Sequence, residues 1–213
     1  MKKNILSLTA IAMIASATIF TGCKKDDTTA PVVTLVGSDQ TISLQGSYSE
    51  LGATADDDKD GAITPVITGT VDVNHTGVYV ITYTATDAAG NAGTATRNVT
   101  VVNDVDNMTG NYHCTIAGSP AYNYDQAITA SPTLNKRILF GKFGDYSGNT
   151  GIYADVVGTT ITLPSQTAVM VGTPATNRTF AGSGTVTAGG FGLNYTETTA
   201  TGSINTVESF VKF

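Results

Sequence analysis

Apolar and polar residues alternate in short runs along most of this chain. In GVYVITYTATDAAGN (77–91), Tyr79, Ile81, Tyr83 and Ala85 fall on one face of an extended strand, because successive side chains of a strand point to opposite faces. Residues 87–91 then supply turn chemistry before the next run. After Ala30 no segment keeps the period of an amphipathic helix, so the pattern predicts an all-β fold.

Two groups of such runs predict two β domains in series. The first group suits a small sandwich and consists of five runs and one acidic turn, at 32–37, 41–46, 56–61 (the turn), 63–72, 78–87 and 94–102. The segment NDVDNMTG (103–110) breaks the strand pattern, and further alternating runs continue to Phe213. Around Ile138 and Phe140 neither face is cleanly polar, as expected where a sheet closes or two sheets pack. We therefore predict an antiparallel barrel or sandwich as the second domain.

The first 23 residues have the three-part plan of an export signal. Lys2 and Lys3 precede an apolar stretch at 5–20, and small residues follow it directly before Cys23. The segment FTGC resembles the lipobox of bacterial lipoproteins, in which the leader is cut before the cysteine and its thiol receives a diacylglyceryl group. The resemblance implies a signal peptide at 1–22, lipidation of Cys23 and an acidic tether at 23–30. Two or three acyl chains would hold the protein stably on a membrane. The alternative is an ordinary cysteine beside a cleavage site.

The tether carries a second resemblance. The residues KDD (25–27) are similar to the export signal of Bacteroidetes surface lipoproteins, a basic residue followed by two acids close to the lipidated cysteine. This resemblance implies an outer-membrane lipoprotein displayed on the cell surface. Retention at the periplasmic face is the alternative.

The first β domain also resembles a known family. The segment 77–91, together with GATADDDKDG and TGTVDVNHTG before it, resembles an Ig-like domain of unknown function described in a pesticidal crystal protein and common in bacterial surface proteins. Tyr79 occupies the place of a tyrosine corner, and Ile81 stands where antibody domains carry a cysteine. The resemblance implies an Ig-like sandwich at 31–103 that acts as a spacer or adhesion module. The remainder, 104–213, looks similar to C-terminal β domains of Bacteroidetes surface lipoproteins.

Charge and cysteine content exclude several classes of function. The net charge is −6, and without Lys2 and Lys3 the balance is 9 basic against 17 acidic residues, or −8. Such a chain repels DNA, so we predict no nucleic-acid partner. If Cys23 is acylated, Cys114 has no cysteine left to pair with, and we expect it to be a small buried hydrophobe. Its neighbour His113 would point to the opposite face of the strand, which argues against a catalytic pair.

A run of aspartates is the candidate metal site. In DDDKDG, Asp56, Asp58 and Asp60 alternate before Gly61, which is the opening spacing of a calcium loop. The twelfth position of that loop is Ile67 instead of the required glutamate, so the motif is incomplete. A looser Ca²⁺ site could still combine these aspartates with Asp87 from the neighbouring turn. The alternative is a solvated acidic turn, and no other cofactor is predicted.

Three tyrosines are the candidate ligand-binding residues. Sugar recognition needs exposed aromatic faces, and Tyr122 and Tyr124 lie two apart, hence on one face of a strand. Tyr146 lies in the turn-rich segment GDYSGNTG. The alternative is that tyrosines at strand spacing fill the core with their hydroxyls at the rim.

The sequence lacks the usual enzymatic motifs. We find no nucleophile elbow, no HExxH, no phosphate-binding loop and no dinucleotide fingerprint. We therefore predict a non-enzymatic surface lipoprotein that binds carbohydrate or a partner protein at the end of an Ig-like spacer. The alternatives are a structural subunit of an envelope assembly, joined through strand edges, and a small hydrolase.

Overall fold

A computed structural model describes residues 26–118, 122–145, 151–170 and 176–213. The predicted signal peptide, the lipidation site Cys23 and the candidate Tyr146 lie outside these residues. The all-β prediction is confirmed, since the described residues form fifteen strands, two single-turn 3-10 segments (Asp106–Met108 and Phe143–Asp145) and no α-helix. Within the same ranges, no helix has the length and apolar character needed to span a bilayer.

The N-terminal domain is a sandwich of two sheets. One sheet has the order β1-β3-β4, and the other has the order β2-β7-β6-β5, with β2 parallel to β7. The seven strands are β1 Val32–Leu35, β2 Gln40–Ser43, β3 Ala53–Asp57, β4 Gly61–Ile63, β5 Val66–Thr68, β6 Gly77–Thr86 and β7 Ala92–Val102.

The alternation in β6 places its apolar side chains as predicted. Ile81 and Tyr83 are buried and form the sandwich core with Val99 of β7. The hydroxyl of Tyr79 donates a hydrogen bond to the carbonyl of His75 at 2.9 Å, the backward link that defines a tyrosine corner. The core of this domain therefore rests on tyrosine and β-branched residues.

An arginine is fully buried inside this sandwich. The guanidinium of Arg97 donates hydrogen bonds to a carboxylate oxygen of Glu50 at 2.7 Å and to the hydroxyl of Tyr83 at 2.6 Å. It also donates to the carbonyls of Val36 at 2.5 Å and Gly52 at 3.2 Å. A buried charge is tolerated when it is paired and hydrogen-bonded in this way. Arg97 therefore ties the segment 36–52 to both long strands.

The C-terminal domain is a closed barrel of eight antiparallel strands. Each strand pairs with the next one along the chain, and the last strand pairs with the first, for example at Phe210 opposite Cys114. Eight strands leave an interior that side chains just fill. The strands are β8 Gly110–Ile116, β9 Tyr122–Ala130, β10 Arg137–Phe140, β11 Tyr153–Val157, β12 Thr160–Met170, β13 Thr176–Thr187, β14 Gly190–Thr199 and β15 Gly202–Lys212.

Aromatic rings occupy much of the barrel interior. The rings of Phe191 and Phe210 stack with their centroids 4.3 Å apart, and Phe140 and Phe143 meet edge to face at 4.9 Å. Phe180 of β13 contacts Phe143 from the other side at 5.2 Å. These contacts explain why the pattern near residues 138–143 showed no polar face.

Asn103 joins the two domains where β7 ends. Its side-chain amide is buried and donates to the carbonyls of Ser131 at 2.8 Å and Leu134 at 2.9 Å, both in the β9–β10 connection. The backbone N–H of Thr76 in the sandwich donates to the carbonyl of Pro132 at 2.9 Å. The β9–β10 connection therefore docks on the sandwich, and we call this the near end of the barrel. Because the strands alternate in direction, the β8–β9, β10–β11, β12–β13 and β14–β15 connections lie at the opposite, far end.

Candidate functional site

Three aspartates from separate segments meet at the end of the sandwich that is remote from the barrel. Asp27 comes from the tether, Asp57 ends β3 and Asp87 follows β6, and one oxygen of each lies within 4.8 Å of the others. Asp57 and Asp87 are only 5% and 6% exposed. We call these three residues the acidic cluster.

Local strand geometry turns Asp57 inward. Ala55 is buried in β3, so the side chain two residues later points to the same side. One oxygen of Asp57, Oδ1, accepts the backbone N–H groups of Lys59 and Asp60 at 3.0 Å each and closes the turn before Gly61. Gly61 has a φ of 72°, a left-handed conformation that suits glycine. The other oxygen, Oδ2, is buried and accepts no hydrogen bond from the described residues.

Hydrogen bonds and an ion pair hold the other two members of the cluster, Asp87 and Asp27. Asp87 accepts the backbone N–H and the side-chain amide of Asn91, each at 2.7 Å, and the same amide donates to the carbonyl of Asp27 at 3.1 Å. Burial pushes the pKa of Asp87 upward, but the hydrogen bonds from Asn91 outweigh it and lower the pKa. The ammonium of Lys59, 2.9 Å from Asp27, lowers the pKa of that carboxyl. Both carboxyls are therefore ionised at neutral pH.

The structure brings together a different set of aspartates from the predicted one. Of the predicted residues, Asp87 belongs to the acidic cluster, whereas Asp56 and Asp58 are exposed. Asp60 accepts the backbone N–H of Ala88 at 2.6 Å and so links the two turns. The difference arises because β3 extends to Asp57, where the sequence predicts a turn from residue 56. Calcium binding at this end stays a prediction.

A polar cluster lies inside the barrel, toward the far end. Glu208 of β15 is 1% exposed and accepts hydrogen bonds from the hydroxyls of Tyr124 and, at 3.1 Å, Tyr195. Burial raises the pKa of Glu208 to about 7 and also raises the pKa of Tyr124. The Tyr124 hydroxyl in turn accepts the side-chain amide of Gln126 at 3.3 Å and the backbone N–H of Gly144 at 2.9 Å. The cluster therefore links β9, β14 and β15 inside the barrel.

The predicted tyrosines are placed in different environments. Tyr124 is 7% exposed and its ring fills the barrel interior, so it offers no open face to a ligand. Tyr122 is 50% exposed at the start of β9, with its ring centroid 6.4 Å from that of Tyr124. It therefore lies on the rim of the far end. Tyr146 is outside the described residues, and its role stays a prediction.

A groove adjoins the far end on the other side of the rim. It has a volume of about 580 Å³ and is lined by residues 176–179 and 198–201, five of which are threonines. Arg178 and Glu197 form an ion pair beside it. We call this groove and Tyr122 together the barrel mouth.

Cys114 and His113 do not meet. Cys114 is fully buried, and burial raises the pKa of its thiol to about 12. His113 points to the exterior, where its Nδ1 atom lies 2.7 Å from a carboxylate oxygen of Asp125. The thiol therefore packs as a small hydrophobe, apart from the imidazole of His113.

Comparison with known proteins identifies the first domain. Residues 33–101 match the family model described as bacterial surface protein, Ig-like domain. The search of curated proteins found no match.

Two solved structures are similar to the chain at low identity. The lipoprotein BT2262 from Bacteroides thetaiotaomicron is 19% identical with a TM-score of 0.35, covering 86% of this chain and all of that one. The structure of CBM51-2 in complex with GlcNAc and INT domains from Clostridium perfringens ZmpB is 13% identical with a TM-score of 0.29, covering 85% of this chain and 43% of that one. With TM-scores below 0.5, these likenesses carry no argument about function. The family match and the observed topology show that the chain carries an Ig-like domain of the bacterial surface protein family, followed by a closed eight-stranded barrel.

Proposed function

We propose that this chain is a non-enzymatic lipoprotein of the bacterial cell surface, anchored through Cys23, that binds extracellular carbohydrate at the barrel mouth. The Ig-like domain would act as the spacer between the membrane and the barrel. The family match at residues 33–101 supports display at a bacterial surface, and the lipobox-like FTGC supports the anchor.

The order of parts along the molecule carries this proposal. Strand β7 runs from the turn beside the acidic cluster to the junction at Asn103, and its eleven residues span about 35 Å. The tether lies at the start of that path, and the barrel mouth lies beyond its end. A ligand in the medium would therefore meet the mouth first.

The chemistry of the mouth suits a neutral sugar. Tyr122 offers a half-exposed ring for the C–H face of a pyranose. On the other side of the rim, threonine hydroxyls in the groove can donate to or accept from the hydroxyls of another unit of the same glycan. Ligand sites generally combine an apolar surface with a few placed polar groups.

A glycan array probed with the purified chain tests this binding. Tyr122→Ala should weaken an array hit at least tenfold, and Thr176→Val should weaken it by a smaller factor, because it removes one exposed hydroxyl of the groove. Phe213→Ala is the matched control, since Phe213 is an aromatic residue that is 71% exposed at the near end. An array without hits, or equal loss in the control, would contradict carbohydrate binding at the mouth.

Surface display is tested separately in cells. Labelled palmitate should enter the wild-type chain and should not enter Cys23→Ala. Protease added to intact cells should remove the wild-type protein. If the protein resists protease until the outer membrane is broken, it faces the periplasm.

The free edge at β5 favours a structural subunit as a second candidate function. This strand pairs only with β6 in the described sheets, and its residues Val66 and Ile67 are 64% and 46% exposed. An exposed apolar edge is a template for pairing with another chain. If this edge joins copies, light scattering should show oligomers of the wild type that Val66→Lys converts to monomers. A monomeric wild type at high concentration would exclude self-assembly through β5.

A further inference from the structure

We propose that Asp27, Asp57 and Asp87 bind one calcium ion, and that this ion fixes the tether to the Ig-like domain. This calcium site does not depend on which ligand the barrel mouth binds. Its consequence for orientation at a membrane rests on the proposed anchor at Cys23.

The unpartnered oxygen of Asp57 is the first argument. Oδ2 is buried in a residue that is 5% exposed, and none of the described residues donates a hydrogen bond to it. Burying a carboxylate oxygen without a partner is costly, and such atoms are rare in native proteins. This oxygen belongs to a carboxylate that faces Asp27 and Asp87, so a cation between the three would supply the missing partner.

Distances and charge are the second argument. Calcium takes oxygen ligands at about 2.3–2.6 Å, so two ligand oxygens on opposite sides of one ion are separated by about 4.6–5.2 Å. The oxygens of the cluster lie within 4.8 Å of one another. Three carboxylates this close repel one another, and the one ammonium beside them, that of Lys59, balances this charge only in part, so a divalent cation between them would be attracted.

Lys59 and the surrounding hydrogen bonds favour calcium over magnesium. The ammonium of Lys59 contacts Asp27 from a side chain that is 42% exposed, so it can move into solvent when an ion enters. Mg²⁺ demands near-ideal octahedral ligands at about 2.0–2.1 Å. Here Asp57 and Asp87 are already fixed by the donors of two turns, and a larger ion with flexible geometry fits them better.

The position of Asp27 gives the site a function. Pro31 is the first buried residue of the domain, and Asp27 lies four residues nearer to Cys23. If Pro31 is the first fixed residue, eight residue steps separate it from Cys23, and the extended chain between them reaches about 29 Å. If the ion fixes Asp27, only four steps remain, and the reach falls to about 14 Å. The ion would therefore hold the sandwich close to the membrane in a narrower range of orientations.

Calorimetric titration of the purified chain with CaCl₂ and with MgCl₂ tests the site. We expect a Ca²⁺ dissociation constant of about 10⁻⁴ to 10⁻³ M, the range of extracellular modules, and weaker Mg²⁺ binding. Asp27→Asn and Asp57→Asn should each weaken Ca²⁺ binding at least tenfold. Asp56→Asn, which changes an exposed carboxylate beside the site, is the matched control and should stay within twofold.

Two results would contradict calcium binding by the acidic cluster. No heat up to 10 mM CaCl₂ would overturn the proposal, and so would equal losses in Asp56→Asn and Asp57→Asn. If Asp57→Asn fails to fold, Asp27→Asn decides, because Asp27 lies in the tether outside the strands.

Hydrogen exchange separates tether fixing from simple ion binding. In the wild type, Ca²⁺ should slow amide exchange in the peptide that covers residues 26–31, and in Asp57→Asn it should not. Binding that leaves this peptide unchanged would show that the ion does not hold the tether.

Discussion

Each domain holds a carboxylate that accepts hydrogen bonds from two tyrosine hydroxyls, but Glu208 is buried whereas the Glu50 side chain is 28% exposed, and the two carboxyls have opposite pKa shifts. Glu50 in the sandwich accepts hydrogen bonds from the hydroxyls of Tyr48 and Tyr83 and from the guanidinium of Arg97. Glu208 in the barrel accepts hydrogen bonds from the hydroxyls of Tyr124 and Tyr195.

The cause of the difference is the balance between burial and charge. Burial works against ionisation of Glu50, but hydrogen bonds from the two tyrosines and Gly52, together with Arg97, lower its pKa to about 2. For Glu208 burial dominates its two hydrogen bonds and raises the pKa to about 7. Two tyrosine hydroxyls therefore outweigh burial at the partly exposed Glu50, where Gly52 and Arg97 add to them, and do not outweigh it at the fully buried Glu208.

Removing the cation should have the largest effect. Arg97→Met removes a fully buried guanidinium, and the Tyr83 hydroxyl and the carbonyls of Val36 and Gly52 lose its hydrogen bonds. Because several buried acceptors lose their donor at once, we expect the free energy of unfolding of the sandwich to fall by about 3–5 kcal/mol. Native-state hydrogen exchange of β6 and β7 measures this for the sandwich alone.

A surface arginine provides the control. Arg137→Met removes a pair with Asp155 on the barrel exterior, where the two side chains are 22% and 40% exposed. We expect a loss of about 1 kcal/mol or less. Similar losses for Arg97→Met and Arg137→Met would contradict the special role of the buried arginine.

The barrel should lose stability as the pH rises from acidic to neutral. The folded pKa of Glu208, about 7, lies above its ordinary value of 4.5, so the unfolded chain releases this proton first and stability falls as pH rises from 4.5 through 7. Between pH 5 and pH 8 we expect the barrel to lose about 2–3 kcal/mol. Glu208→Gln carries no titrating proton, and its stability over this range should be flat. Urea unfolding at both pH values measures the difference, and a wild type as flat as the variant would refute it.

The sandwich should respond in the opposite direction, and more weakly. The folded pKa of Glu50, about 2, lies below its ordinary 4.5, so its contribution is present above pH 4.5 and is lost as pH falls toward 2. Between pH 6 and pH 3 we expect a loss of about 1–2 kcal/mol, because the Glu50 side chain is 28% exposed and solvent screens part of the interaction. Hydrogen exchange at the two pH values, corrected for intrinsic rates, should show this loss in β7. An unchanged β7 would mean that Glu50 titrates normally.

The fold was largely predictable from local alternation. Tyr79, Ile81 and Tyr83 lie where a period of two places them, because one face of β6 packs against the second sheet. Barrel closure was not predictable, since the pairing of β15 with β8 joins residues about 96 positions apart and leaves no local pattern.

The acidic cluster was partly predictable. Ala53, Ala55 and Asp57 alternate with exposed residues, and this period of two would have extended β3 and turned Asp57 inward. Asp27 carries no such signal, because the tether has no periodicity. The burial of Tyr124 depends on Glu208, which lies 84 residues away, so spacing alone could not separate it from Tyr122.

The closing contact between β8 and β15 joins distant residues, so we expect it to form late in folding. One edge of β8 stays unpaired until the eleven-residue strand β15 has formed. The sandwich, by contrast, is complete once β7 has formed. Pairings between distant residues form slowly, and unpaired edges expose a chain to aggregation in the meantime. The Ig-like domain can therefore fold before the barrel closes, and the barrel without β15 is the intermediate whose open edges expose the chain to aggregation.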